Sequence, residues 1–368
     1  MALYCSHIFA AQIIGKGRGK IILYRTIYMH KYIILAVVSL FAVPHMAYAA
    51  NHIHHDENIA LIRQKIEPEI IAANQGEQTT CPQNMGQNIG QNFGMSLQIL
   101  GTGGPIAEGS RAGSSNLIWI DGKARFLFDI GPGMFIRFGE AKANFTDLEA
   151  IFFTHAHGDH ISGLPGLLNS GSFSGRTQSL QFIGPKGDEF FAGPTQILTA
   201  IYGANGILPY LGGYGDGSDN KAKISPVEID TANKALHKIY AKDGIEIQAI
   251  SVHHGPVPSL AYIVKYKGRS IIFAGDHSFL SEDFVTQLSG SNPDILVMHN
   301  VISMADGQPR GLHRDGNSIG EAAAAIKPKM LLLTHHMKRA LDDKDAVLAA
   351  IKSHFTGEII MANDLDCF

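Results

Sequence analysis

Three histidines and an aspartate fall within six residues at Thr154-His155-Ala156-His157-Gly158-Asp159-His160, directly behind the apolar run 149–153. A short apolar run of this kind reads as a buried strand, and a strand ending in such a cluster delivers several lone pairs into one volume. The cluster therefore constrains the fold more than any other segment. The strand end has to lie at an edge where a cation can sit, and the donor types suit Zn²⁺ or a similar ion. A solvated tail can carry histidines without any such meaning, as Ala50-Asn51-His52-Ile53-His54-His55 does. A free amine with a third-position histidine would suit Cu(II) or Ni(II) there, although a solvated tail is the simpler reading.

Around the cluster, short apolar runs alternate with turns and helical stretches. Strands are expected at 96–100, 116–120, 125–129, 150–154, 180–183, 245–251, 260–266, 270–274, 294–298, 330–334 and 358–362. Helical patterns fit 188–202, 281–289, 318–326 and 343–354. Early strands that follow one another as hairpins, then later ones that alternate with helices, predict an α/β domain with mixed sheets. Residues 203–224, rich in Gly and Asp, read as an irregular insertion. With 45% hydrophobic residues in 368, the chain has ample material for a core, which excludes wholesale disorder.

The N-terminal part differs. Residues 1–49 carry Lys16, Arg18, Lys20, Arg25 and Lys31 without any Asp or Glu, then the apolar run 32–43 and Ala47-Tyr48-Ala49. That order of charge, apolar stretch and small residues is expected of a secretory signal peptide, and Met29-His30-Lys31 would open a compact one, making 1–28 an over-extended start. The run is short of the roughly 20 residues of a membrane span, so no stable span is expected after cleavage. Residues 50–94 then supply a helical pattern over 56–74, interrupted by Pro68, and an amide-rich connector of three tetrads, Gln83-Asn84-Met85-Gly86, Gln87-Asn88-Ile89-Gly90 and Gln91-Asn92-Phe93-Gly94. The folded domain is expected over 95–368.

Removing the five leader cations takes the net charge from −3 to −8, and the longest basic run in the remainder is Lys338-Arg339. A chain built to hold a polyanion carries a basic patch, so nucleic acid is a poor partner. A homodimer is left open. Export, to the periplasm or outside the cell, would place Cys81 and Cys367 in an oxidising compartment where they could pair. Two further signals are weak. Ile106 breaks the G-x-G-x-x-G pattern begun at Gly101-Thr102-Gly103-Gly104, leaving a tight turn beside the site, and no G-x-S-x-G elbow supports a serine nucleophile.

The string His155-Ala156-His157-Gly158-Asp159-His160 resembles the signature of the metallo-β-lactamase-fold hydrolases. The resemblance runs over about 96–368, through Leu100-Gly101-Thr102-Gly103-Gly104-Pro105, Asp129-Ile130-Gly131-Pro132-Gly133, His254-Gly255-Pro256-Val257-Pro258, Phe273-Ala274-Gly275-Asp276 and Leu333-Thr334-His335. Within that superfamily the chain is most similar to the branch of ribonuclease Z and the metallo-β-lactamase-type arylsulfatases. The resemblance implies a four-layer α/β/β/α sandwich with two Zn²⁺ ions, or other divalent metals such as Mn or Fe, at one edge of its sheets. His155, His157 and His254 would hold one ion, Asp159, His160 and His335 the other, and Asp276 would bridge them around a shared hydroxide. Such a pair acidifies water and clamps the oxygens of an ester.

His254 is preferred to its neighbour His253 because Gly-Pro-Val-Pro follows it, and His335 to His336 because the strand 330–334 runs into it. The resemblance offers His299 and His313 as proton donors for the leaving group, with the spacing after His313 departing from the ribonuclease pattern. Asp159 would help take the proton of the attacking water. His277 stands where the family more usually has Thr. Asp129 either caps the short helix after it or orients a ligand histidine. Together these features predict an exported dinuclear zinc hydrolase acting on a small-molecule phosphodiester, sulfate ester or related ester. Its rivals are a ribonuclease Z-like tRNA processing enzyme, a β-lactamase, and a zinc-binding protein without turnover.

Overall fold

In the computed structural model, Cys81 and residues 94–368 are described; the leader 1–49, the tail histidines 52–55, the helical pattern 56–74 and the tetrads through residue 93 lie outside the described residues. The strands form two sheets, each ordered as the chain runs. The first contains β1 (Met95–Gly101), β2 (Ser115–Ile120), β3 (Lys123–Phe128), β4 (Ala150–Phe152), β5 (Leu180–Pro185) and β6 (Ile224–Ile229). The second contains β7 (His237–Lys242), β8 (Ile245–His254), β9 (Val257–Tyr266), β10 (Arg269–Phe273), β11 (Ile295–His299), β12 (Met330–Thr334) and β13 (Glu358–Met361).

Both sheets begin as antiparallel hairpins and finish with parallel strands. The hairpin turns Asp121-Gly122, Asp243-Gly244 and Lys267-Gly268 have positive φ at both residues, the two-residue geometry that matches the strand twist. The parallel strands need crossovers, which helices supply. On the first sheet these are α1 (Met134–Glu140), α2 (Gly158–Ile161), α3 (Leu164–Gly171), α4 (Pro194–Tyr202) and α5 (Gly213–Asp216); on the second, α6 (Glu282–Leu288), α7 (Gly316–Ile326), α8 (Lys338–Asp342) and α9 (Lys344–Lys352).

Strand alternation sends successive side chains into different cores. Phe126, Phe128 and Phe152 of the first sheet meet Tyr262, Phe273 and Val297 of the second, with the Phe128 ring stacked 4.4 Å from Phe273. Leu127, Ile151 and Phe182 point the other way, onto Met134, Leu167 and Ile197 of the first helical layer. Ile250, Ile272 and Leu296 likewise meet Phe284, Ile319 and Ile351 of the second. This is the expected four-layer α/β/β/α sandwich. Among the described residues no helix is long and apolar enough to cross a membrane.

Three expectations are corrected. The helix placed at 188–202 begins only at Pro194, because the Asp188 carboxylate accepts the Phe190 and Phe191 N–H groups and holds a turn there. The segment 203–224 is more than an insertion: Leu211 and Tyr214 are buried, and the Tyr214 hydroxyl donates to the Leu168 carbonyl at 2.9 Å. β6 and β7 carry too little apolar patterning to be read from sequence, since each is an edge strand and only partly covered. The opposite edge, β1, is covered by the C-terminal tail, where Ile99 N–H donates to the Asp366 carbonyl at 2.9 Å. Cys367 in that tail is joined to the buried Cys81 as a disulfide, with Cα atoms 5.5 Å apart.

Candidate metal centre

β3, β4, β8, β10, β11 and β12 all run in one direction within their sheets, so the residues after them share one edge of the sandwich. Asp129 follows β3, and the 154–160 string follows β4. His254 ends β8, Asp276 lies three residues beyond β10, His299 ends β11 and His335 follows β12. Two groups of donors result, His155, His157, His254 and Asp276, and Asp159, His160 and His335, with a third, Asp276, His299 and His335, overlapping both; the donor atoms of each lie within 4.8 Å of one another.

The far side of three of the rings is tethered. The Thr154 hydroxyl sits 3.0 Å from His155 Nδ1 and 3.1 Å from Asp129, whose carboxylate also lies 2.9 Å from His160 Nδ1. His254 Nδ1 donates to the Leu312 carbonyl at 3.0 Å. These tethers leave His155, His160 and His254 facing the centre through Nε2. Asp129 thus orients a ligand candidate, and it does so from a left-handed backbone, φ 62°. Glycine makes room for the approach: a Cβ on Gly131 would lie 2.3 Å from the Asp159 carbonyl oxygen.

At the centre, His155 Nε2 and His157 Nδ1 are 2.9 Å apart, His157 Nδ1 and His254 Nε2 3.4 Å, and His160 Nε2 and His335 Nε2 3.2 Å. Asp276 Oδ2 stands 3.7 to 3.9 Å from His254, His160 and His155. Its Oδ1 is 3.7 Å from His335, and His335 is 3.0 Å from Asp159. Burial and the neighbouring His160 hold His155 well below the usual imidazole range, as a neutral ring. Burial works against ionised Asp276, yet the imidazoles around it, His335 and His313 first, hold its carboxyl well below the carboxylate range. Imidazole nitrogens converging at such distances repel unless a cation or proton lies between them, and Asp276 lies within 4 Å of members of both groups. The donor set fits divalent cations.

The adjacent histidines part company. His254 faces the centre, whereas His253 turns its Nδ1 to Ser278 Oγ at 2.8 Å. His335 faces the centre, and His336 is buried away from it, its Nε2 donating to the Ala362 carbonyl at 3.1 Å. His277 is directed elsewhere: Arg314 Nε donates to its Nε2 at 2.8 Å, and burial keeps the ring neutral. The two acid candidates separate as well. His299 Nδ1 lies 2.5 Å from Asp276 Oδ1 and holds that carboxylate from behind, while His313 lines the open cleft, 3.8 Å from the same oxygen.

That cleft encloses about 530 Å³ above Asp159, Asp276 and His335. Pro105, Pro132, Val301, Leu312 and Arg339 complete its walls, and the exposed Arg339 donates from Nε to the Val301 carbonyl at 2.9 Å. Pro105 and Pro132 lie in motifs the sequence offered, but Val301, Leu312 and Arg339 were missed: they come from the connection between β11 and α7 and from α8, brought together only in the fold.

Comparison with known proteins follows the same residues. A family model described as a beta-lactamase superfamily domain matches residues 124–336. The chain is 27% identical over 284 residues to ribonuclease Z of Mycobacterium marinum, covering 74% of this chain and 97% of that one, and 25% identical over 303 residues to ribonuclease Z of Methanosarcina acetivorans. Among solved structures, a metallo-β-lactamase-fold protein of Bacillus subtilis superposes with TM-score 0.58 at 18% identity, covering 75% of this chain and 99% of that one. The short form of human tRNase Z superposes with TM-score 0.56 at 21% identity, covering 74% and 98%. The family model spans more than half of the chain, and the sandwich and its histidine-lined edge agree with it: the protein belongs to the metallo-β-lactamase-fold hydrolases of the beta-lactamase superfamily.

Proposed function

We propose that the protein is an exported dinuclear zinc hydrolase that cleaves a phosphodiester, sulfate ester or related ester. The observation that carries this reading is the convergence of five imidazoles and two carboxylates at the floor of an open cleft, with Asp276 shared between the two donor groups. His155, His157 and His254 would hold one ion, and Asp159, His160 and His335 the other. The chemistry that such a pair supplies when bound is acidification of a water and polarisation of the ester oxygens.

The remaining work falls to the chain itself. His299 positions the Asp276 carboxylate through its 2.5 Å contact. His313, on the cleft wall, stands where it can donate to the leaving oxygen. Arg339, at the same wall, supplies positive charge for an anionic ester. Asp159 is held at about 2, because burial is outweighed by His160 and His335, and so remains a carboxylate throughout the working range.

The Cys81–Cys367 disulfide and the leader pattern both support export. The relatives named ribonuclease Z favour the second reading, an enzyme acting on RNA. The charge of −8 beyond the leader opposes it. The test offers the zinc-reconstituted protein bis-p-nitrophenyl phosphate, p-nitrophenyl sulfate, a lactone, a chromogenic cephalosporin and a precursor tRNA. Turnover of a small ester is expected. Cleavage of the RNA alone would establish the rival, and no turnover at two bound metals per chain would overturn both.

A further inference from the structure

Beside the metal cleft, a second recess of about 400 Å³ opens. Pro105 and Pro132 line both hollows, which therefore share a wall. Glycines bring them closer still. Gly104 lines the recess, and a Cβ there would lie 2.8 Å from His335 Cε1; Gly113 also lines it, and a Cβ there would lie 3.0 Å from the Asp159 carbonyl oxygen. Only hydrogen at these positions lets the recess approach two residues of the metal centre.

Its surface is aliphatic. Ile106 and Ile136, 57% and 62% exposed, stand on its walls with Ala107. Two guanidinium groups reach it, and both are engaged by protein partners. Arg137 bonds Glu140 at 2.8 Å and Asp364 at 3.2 Å, and Arg111 bonds Thr102 Oγ1 at 2.7 Å and Asn363 Oδ1 at 3.2 Å. Arg137 is thus paired with two carboxylates and Arg111 is held by neutral partners, while the exposed isoleucines gain from covering by an apolar group. The recess is also held in shape: Asp364 accepts from Thr102 N–H at 2.9 Å and Ala112 N–H at 2.8 Å, pinning both ends of the loop that forms it.

We propose that this recess is the subsite for an apolar arm of the substrate, so that the enzyme takes an amphipathic ester whose polar centre lies in the metal cleft. The proposal rests on the ester-hydrolase reading above and adds the class of substituent.

The zinc-loaded full chain tests it with two readouts. One is kcat/KM for p-nitrophenyl phosphodiesters whose second arm is methyl, butyl or octyl. The other is calorimetric affinity for the matching alkylphosphonates. Both are expected to rise roughly tenfold or more from methyl to butyl. The rise is expected to shrink to about threefold or less in Ile106→Asp and Ile136→Asp, whose exposed positions spare the core. Affinity that is flat across the arms, or a rise untouched by both substitutions, overturns the subsite. Affinity that follows arm length with no diester turned over upholds the subsite and defeats the hydrolase reading. Diester cleavage indifferent to the arm does the reverse.

Discussion

The two sheets furnish the metal centre in opposite ways. The first places four of its groups after a single strand, β4, within the six residues 155–160, and orients two of them through Asp129 at the end of the neighbouring β3. The second contributes one group from each of several strands: His254 from β8, Asp276 from beyond β10, His299 from β11 and His335 from beyond β12. A local string can be read from its spacing, whereas single groups separated by tens of residues acquire meaning only through parallel pairing that brings the strand ends level. The division also predicts unequal consequences, because the second sheet holds the one carboxylate that both donor groups share.

The sharpest test sets Asp276→Ala against His155→Ala. Loss of the shared carboxylate should remove hydrolysis and lower bound metal below one per chain, whereas His155→Ala should leave about one; both should lose more than the roughly 100-fold expected for an outer partner. Elemental analysis beside kcat/KM checks this, and equal metal loss in the two variants would break the asymmetry. Next come the orienting groups, Asp129→Asn on the first sheet and His299→Ala on the second. Each should cost about 10- to 100-fold in metal affinity, measured by chelator competition, while the fold is kept. A silent His299→Ala would remove the positioning role drawn from its contact with Asp276.

Smaller effects separate the neighbouring histidines. His254→Ala should behave as a ligand loss, while His253→Ala should keep its metal and lose only the hydrogen bond to Ser278, about 1 kcal/mol in denaturant unfolding. The smallest effect lies away from the centre, in how helices start. α3 on the first sheet begins at Gly163 with no side-chain cap, whereas α7 on the second is capped by Asp315, which accepts from Ser318 N–H at 3.0 Å and from Arg310 Nε at 2.8 Å. Burial works to raise the Asp315 pKa, but these donors outweigh it and lower it. The stability it gives is therefore complete above the ordinary carboxylate pKa and is lost as pH falls through the lowered folded value. Asp315→Ala should cost about 1 kcal/mol at pH 7, with the difference from wild type shrinking in strong acid, as read by thermal unfolding.

Much of the architecture was legible where patterning is strong. The apolar runs that became β1, β4, β11 and β12 are buried on both faces or nearly so, and a doubly covered strand has to be largely apolar. β6 and β7 escaped notice because polar residues and proline, Ser225, Pro226 and Glu228 in one and His237, Lys238 and Lys242 in the other, interrupt any apolar run. The 154–160 string was legible for the same reason of locality. The cleft wall was legible only in part: Pro105 and Pro132 fall within motifs that carry the resemblance, whereas Leu312, on a loop, and Arg339, on α8, carry no such mark.

By itself the sequence determined that an apolar strand ends in a cluster of metal-type donors and which of two adjacent histidines continues each motif, while Asp129 was left between a helix cap and an orienting role. Tertiary structure alone decided that His299 lies against Asp276 while His313 lines the cleft, and that a glycine-floored recess adjoins His335. The physical reason is directional. Neighbouring side chains leave the backbone on opposite sides, so adjacency in sequence states what chemistry is present, while the twist and pairing of two packed sheets state where each lone pair points.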